Sequence, residues 1–599
     1  VPPDDRTKPM SEPDPTCIGR VRHVLGSNVT VALDPELAGV APIYRGKLQS
    51  VGQIGSIVRF PQGLVDLIGA VTLVGIAELS SPLPPAENVQ VGERWLKVQL
   101  LGEVDSLGQF QRGVGSYPGL DDPVHFTTSV DLGRVFPVEG PGLVRLGTLS
   151  SAPDIPVCLD AAKLVLRHTA VVGSTGAGKT SAVAEILQNL MADGWPGANI
   201  VVIDPHGEYA RAIGDKGSIR SVLDTNNLLR VPYWALPAVE ILVAFTGGSV
   251  GNTTAKRWSE FVAEARAEFV EKAAWLTLDP IAVTADTPVP FDIREVWYRL
   301  DYENRETREE RGDPSTVRLE HEGDAQKLEP ARFTPYAPAG GKPSKAPTYE
   351  VYGRVPELLR LALENPDFAF FQQPKADPDG DDPLRVAMVE WLGEESPISV
   401  LDFSGVPTAV ADLAIGVVLE LLFELALRTD DGGPGIGRPR PVLLVLEEAH
   451  RYLGESANNL TARAASRIAR EGRKYGVGLL MVTQRPSELP ETALAQCGTL
   501  IALRLTNSTD QGQIRAALPD NVTGLADVLS SLRTGEAIIS GEAIVLPVRT
   551  TIDKPHPLPK AEDPGLDSWR KDSGVPDLAP ALARWRGLYD VEDKEEMNE

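Results

Sequence analysis

Gly173-Ser174-Thr175-Gly176-Ala177-Gly178-Lys179-Thr180 satisfies G-x-x-x-x-G-K-[ST] at every fixed position. The chemistry open to that spacing is phosphate binding. Glycines let backbone N–H groups close around phosphate oxygens, and the helix that follows adds the donors and dipole of its N-terminus. Lys179 then reaches the β- and γ-phosphates, and the Thr180 hydroxyl holds Mg²⁺. The candidate cofactor set is Gly173, Ser174, Thr175, Gly176, Ala177, Gly178, Lys179, Thr180 and Ser181, with ATP and Mg²⁺ as the ligands.

Hydrolysis needs more than a cradle. It needs an acid beside the metal and a group that orients water. The run Val442-Leu-Leu-Val-Leu446 reads as a buried strand, and Glu447 and Glu448 emerge at its C-terminal end, where open α/β sheets place their sites. Successive strand residues point to opposite sides, so Glu447 is expected at the metal with Thr180 and Glu448 at the water. Gln484 follows the next strand candidate and is expected beside Glu448, where an amide can bind water and the γ-phosphate together. Between these strands, Thr461 to Arg485 holds six Lys or Arg and one acid, Glu471. Arg463, Arg467, Arg470 and Lys474 fall on one helical stripe, with Arg473 about 100° from Lys474. Such a stripe is either a solvated helix face or a subunit interface that lends an arginine to the next protomer's γ-phosphate. Arg473 leads Arg470 for that role.

The elements that position these groups follow from periodicity. Thr169 to Val172 reads as a buried strand, and Ser181 to Ala192 as a helix with Val183, Leu187, Leu190 and Met191 on one face. Further strands are expected at Ile200–Asp204, Ile398–Asp402, Val477–Val482, Thr499–Leu503 and Glu536–Ser540. Helical stretches between most of them predict a largely parallel sheet covered on both faces. An insertion, roughly Gly251 to Glu395, opens with an amphipathic helix at Arg257–Leu276. Its charged and Pro/Gly-rich part, Glu303 to Lys345, reads as an extended or mobile connection. Ahead of this core, short β-rich runs from Cys17 to about Ser150 predict a small sandwich or barrel.

Composition narrows the class. A chain of 599 residues with 42% hydrophobic content is a multidomain globular protein. The most apolar long segment, Val410–Leu427, is interrupted by Asp412, Glu420 and Glu424, so it reads as a buried helix and no membrane partner is expected. Cys17, Cys158 and Cys497 lack zinc or disulfide spacing. A reducing cytoplasm is the expected compartment. The net charge of −25 argues against an outer surface that coats nucleic acid, while leaving room for a basic channel inside a ring. The first residues lack the apolar stretch of a secretory signal and read as a disordered tail, with Met10 as an alternative start. Trp569, Trp585 and Tyr589 near the acidic end predict a tail that docks on another surface.

Together these residues resemble the HerA family of hexameric DNA-translocating ATPases, relatives of FtsK. The resemblance rests on Arg167-His168, Asp204-Pro-His-Gly-Glu-Tyr209, Asp402-Phe-Ser-Gly-Val-Pro407, Glu447-Glu-Ala-His450, Ala469-Arg-Glu-Gly-Arg-Lys474, Thr483-Gln-Arg-Pro-Ser487 and Leu505-Thr-Asn-Ser-Thr-Asp-Gln511, in family order. It implies an α/β fold: a RecA-like P-loop core with a mainly parallel sheet, preceded by an N-terminal β-barrel and interrupted by a helical insertion. It also implies a homo-hexamer with ATP between subunits, double-stranded DNA in the channel, and Arg167 and Arg473 as nucleotide-contacting arginines. Two departures stand out. Glu447 occupies a place often held by Asp, and the tail and charged insertion are particular to this chain.

The expected organisation is a tail at 1–15, a barrel at 16–150, ATPase core at 151–250 and 396–552, an insertion at 251–395, and a C-terminal tail at 553–599. The expected activity is ATP-dependent DNA translocation or unwinding. A separate effector docked on the barrel is expected beside it: a NurA-type nuclease in end resection, or a sirtuin-type or nuclease protein in anti-phage defence. A scaffold ring that gates an effector without processive translocation is the alternative. Lys216 and Arg220 are DNA-contact candidates only because they follow the second core strand.

Overall fold

Strand Cys17–Leu25 buries Ile18 and Val21, and Asn28–Leu33 buries Val29 and Val31, so both need a covered face. The computed structural model supplies it by closing a barrel. Its six strands run in the order Asn28–Leu33, Cys17–Leu25, Pro123–Phe126, Ile57–Gln62, Val65–Ile76, Arg94–Val104, and the last pairs with the first through Val29–Val98 and Val31–Leu96. Phe110–Arg112 adds a short outer strand. Phe60, Leu67, Val98 and Phe126 join the same interior cluster, each fully buried side chain contributing about 1.5–3 kcal/mol before entropy is subtracted. Gly19 is required where two strands close up, since a Cβ there would lie 2.1 Å from the Ala32 carbonyl oxygen. Of the sandwich and barrel readings, the barrel is the one adopted.

The structure describes residues 14–35, 43–44, 47–48, 52–76, 94–137, 140–192, 195–224, 226–248, 250–338, 341–372, 376–454, 460–518, 523–560, 569–570 and 577–586. The expected disordered tail, with Met10, lies almost wholly outside these residues, as does Tyr589.

An eleven-stranded sheet forms the ATPase core. Seven strands are mutually parallel, in the order Thr499–Leu503, Thr169–Val172, Val477–Thr483, Val442–Leu446, Ile200–Asp204, Ile398–Asp402, Ser218–Ser221. Apart from the edge strand Ser218–Ser221, their near-continuous apolar sequences fit strands covered on both faces. Glu536–Gly541, Val548–Ile552, Leu143–Leu149 and Ala152–Asp160 extend the sheet in antiparallel fashion. Leu143–Leu149 therefore belongs to this sheet, although it falls inside the stretch expected to be barrel. Thr408–Arg428 is helical, and Val410, Ile415, Val418 and Leu422 are buried.

A second compact unit comprises 222–388, 405–417 and 560–599. It begins earlier than the expected insertion boundary because helix Ala238–Thr246 packs Phe245 against Tyr233 and Phe371 within it. Helix Asn252–Lys272 buries Trp258, Phe261 and Arg266; the Arg266 guanidinium donates to the carbonyls of Trp234, Leu236 and Ala285. Glu303–Lys345 is not the extended connection its composition predicts. Helix Ile293–Arg305 runs into it, and two small antiparallel pairs fold it back: Thr307–Arg308 with Ser344–Lys345, and Leu319–His321 with Arg332–Phe333. Its charges are spent internally, in pairs such as Arg257–Glu303 at 2.5 Å and Arg308–Glu306 at 2.7 Å. Tyr302 against Phe333, and Lys345 over both Tyr336 and Tyr349, supply the packing.

Beyond the last strand, the backbone of residues 556–559 contacts the core. Gln188 on the phosphate-loop helix bonds Pro557 O and His556 N, while Arg211 donates to Leu558 O and Pro559 O. Trp569, expected to dock, is 85% exposed. All three cysteines are free. Among the described residues no helix is long and apolar enough to cross a membrane.

Candidate nucleotide site

Every parallel strand ends on the same edge of the sheet, and that edge carries the site. Strand Thr169–Val172 is wholly buried and delivers the loop; Gly176 and Gly178 take φ of 73° and 100°, which a side chain would resist. Helix Lys179–Leu190 starts directly after Gly178, with Thr180 and Ser181 in its first turn. The loop is braced from both sides: Ser174 N donates to Arg504 O at 2.8 Å and Gly535 N to Ala177 O at 3.0 Å. Lys179 Nζ folds back to Ser174 O at 3.4 Å. Burial lowers the Lys179 pKa, while Glu447, Glu448 and Glu208 hold the ammonium charged.

Gln484 lies between the phosphate loop and Glu448 because its strand, Val477–Thr483, pairs with both the loop strand and Val442–Leu446. Thr175 Oγ1 donates to Gln484 Oε1 at 2.6 Å, and Gln484 Nε2 donates to Glu448 Oε1 at 3.1 Å. A cavity of about 460 Å³ opens here, lined by polar residues that include Ser174, Thr175, Gln484 and Asp510.

The two glutamates do diverge, but not by strand alternation. The strand ends at Leu446, and Glu448 adopts φ 52°, a left-handed conformation uncommon outside glycine. That turn sends Glu447 inward to Tyr209, whose hydroxyl donates to Glu447 Oε1, and sends Glu448 toward Gln484, His450 and His206. Burial pushes the Glu447 carboxyl up to about 8, and the nearby Glu208, Asp204 and Glu448 add to the rise against the Tyr209 hydrogen bond.

Asp204-Pro-His-Gly-Glu-Tyr209 contributes more than sequence reasoning assigned to it. The buried Asp204 carboxylate accepts from the backbone of His206, Gly207 and Tyr209 and so fixes the loop. Glu208, held by that loop, accepts from Thr180 Oγ1 at 2.8 Å. The signal was the acid inside the quoted motif, which composition could not connect to Thr180. Thr180 and Glu208 are thus in contact, and Glu447 lies within the electrostatic reach of Glu208, Asp204 and Glu448. Glu448 Oε2 is buried without a hydrogen-bond partner. Hard oxygens with excess negative charge suit Mg²⁺, so the residues present fit that ion.

The arginines are elsewhere. Arg167 precedes strand Thr169–Val172, and Arg473 sits in the turn before strand Val477–Thr483, so both lie at the edge opposite the phosphate loop. The four intervening strand residues span on the order of 13 Å. Arg167 pairs with Glu542 at 3.6 Å; Arg470 and Arg473 are exposed. None of the three reaches the loop of its own chain. The expected stripe is also broken, because helix Leu460–Glu471 gives way to a 3-10 turn at Gly472 and Arg467 pairs with Glu420 and Glu424. Arg220 is likewise engaged, with Glu390 and Glu394, and is not available to DNA as expected; Lys216 is exposed.

Fold and site together define an ATP-hydrolysing P-loop enzyme of the helicase type. Two family models match, Helicase HerA, central domain, over 144–422 and Helicase HerA-like C-terminal over 394–549. The chain belongs to the HerA helicase family. It is 26% identical to the DNA double-strand break repair helicase HerA of Pyrococcus furiosus, over 68% of this chain and 69% of that one. Its counterpart in Sulfolobus acidocaldarius is 28% identical over 76% and 77%. Among solved structures, VirB4 of Thermoanaerobacter pseudethanolicus aligns with TM-score 0.44 and 16% identity, over 69% of this chain and 97% of that one.

Proposed function

We propose that this protein is an ATP-driven DNA translocase or helicase that works as a ring of six copies around double-stranded DNA. The observation that carries the hydrolytic part is the relay from Thr175 through Gln484 to Glu448, which ties the phosphate loop to a carboxylate whose second oxygen lies 3.3 Å from His450 Nδ1. Lys179 and the loop amides bind the triphosphate, Gln484 orients the attacking water, and Glu448 Oε2 accepts its proton. Mg²⁺, held by Thr180 and Glu447, supplies charge neutralisation on the phosphates when bound. Tyr209 fixes Glu447 in place through its hydroxyl.

Arg473, with Arg167 or Arg470, completes the neighbouring copy's site, since these side chains sit too far from their own loop to act there. The names of the relatives support DNA as the substrate. The barrel, 16–150 in the expected division, is the docking platform for a separate nuclease or effector, in end resection or anti-phage defence. Steady-state ATPase with and without linear duplex DNA tests the motor reading. Stimulation by DNA supports it. The charge of −25 favours a second reading, an effector-gating scaffold ring, and a rate that answers to a co-purifying effector but not to DNA would select it.

A further inference from the structure

Glu208 has no part in the scheme above, yet its placement is more constrained than that of an ordinary loop acid. Asp204 pins the loop on both sides of it, accepting from Gly207 N at 2.9 Å and from Tyr209 N at 2.9 Å. Gly207 takes φ 69°, and a Cβ there would press on Ser404 Oγ at 3.0 Å, so the loop has little room to place Glu208 elsewhere. Tyr209, the next residue, is fully buried. Glu208 reaches back across 28 positions to the Thr180 hydroxyl and accepts its hydrogen at 2.8 Å.

A hydroxyl has one hydrogen and two lone pairs. If the hydrogen is bound on one side, the lone pairs must face the other. We propose that Glu208 is a positioning residue: by accepting the Thr180 hydrogen, it aims the Thr180 oxygen at the divalent cation that accompanies the nucleotide. The assignment rests on the nucleotide-site reading above. Partners that orient a metal ligand from behind set its affinity, and their removal weakens metal binding about 10- to 100-fold.

The experiment uses the full chain with ADP and titrates Mn²⁺, reading free Mn²⁺ by electron paramagnetic resonance. ADP affinity in EDTA is measured in parallel. Glu208→Ala is expected to weaken Mn²⁺ at least about 10-fold with metal-free ADP affinity within about twofold. Glu208→Gln keeps an oxygen that accepts the Thr180 hydrogen, and is expected to recover most of the loss. Unchanged Mn²⁺ affinity in Glu208→Ala overturns the assignment. Equal losses in both variants also overturn it, because charge rather than orientation is then what matters. Should Glu208→Ala fail to fold, Glu208→Gln alone decides, a 10-fold loss counting against the proposal. Failure of the unaltered chain to bind ADP overturns the nucleotide-site reading itself, a distinguishable outcome.

Discussion

Thr175 Oγ1 donates to Gln484 Oε1 at 2.6 Å, joining residues 309 positions apart across two adjacent parallel strands. The amide's other end donates to Glu448. One side chain therefore touches both the phosphate cradle and Glu448, and its orientation is fixed before any ligand arrives.

Replacing Gln484 by Ala removes that orientation and the Thr175 contact while leaving the loop backbone and Lys179 in place. Turnover is expected to fall on the order of 100-fold, the usual scale for losing one aligned donor, with ADP affinity little changed. Stopped-flow phosphate release and equilibrium nucleotide binding separate the two quantities. A variant that loses affinity and keeps turnover contradicts the sensor role.

Glu448→Gln and Lys179→Ala should fail in different ways. The first retains ATP and loses turnover by on the order of 10²–10⁴, the range for a missing general base. The second loses triphosphate binding itself. Isothermal titration with a slowly hydrolysed analogue distinguishes them; rapid turnover by Glu448→Gln refutes the water-activating role.

His168 gives the fold a pH dependence. Its ring is buried and its Nδ1 accepts from Leu479 N, a bond that needs the neutral form. Burial, with Arg473 adding to it, lowers its pKa to about 4. The unfolded chain therefore binds more protons than the folded one between pH 6.5 and about 4, and stability falls as pH drops through that window. The full loss is roughly 3 kcal/mol. His168 sits at φ 53°, which Asn tolerates and whose amide oxygen can accept the same bond. His168→Asn is expected to flatten the slope in urea titrations at stepped pH, and an unchanged slope contradicts the assignment.

The parts of this site written in local spacing were legible from sequence. The phosphate loop, the apolar run before Glu447 and the strand before Gln484 each announce themselves within ten residues. What distance in the chain conceals was not. Barrel closure depends on Val29 meeting Val98, and Glu208 meets Thr180 only through the loop that Asp204 folds. The left-handed turn at Glu448 carries no glycine to signal it. Glu303–Lys345 reads as an extended or mobile connection because its charges and prolines are visible in the sequence while their ion-pair partners and the Tyr302–Phe333 contact are not. Arg167 and Arg473 were legible as types but not as places, since only strand direction shows that they face away from their own loop.

That separation makes the site's completeness a question of two chains. Arg473→Ala is expected to lower turnover and leave affinity nearly intact. The most direct measurement mixes Arg473→Ala subunits with Glu448→Gln subunits across a range of ratios and follows ATP hydrolysis. Each is impaired alone by different means, and a boundary between them joins an intact Glu448 to an intact Arg473. Activity that rises above both parents at intermediate ratios is the predicted result. Rates that never exceed the parents at any ratio, in rings shown by light scattering to have exchanged subunits, would contradict the account.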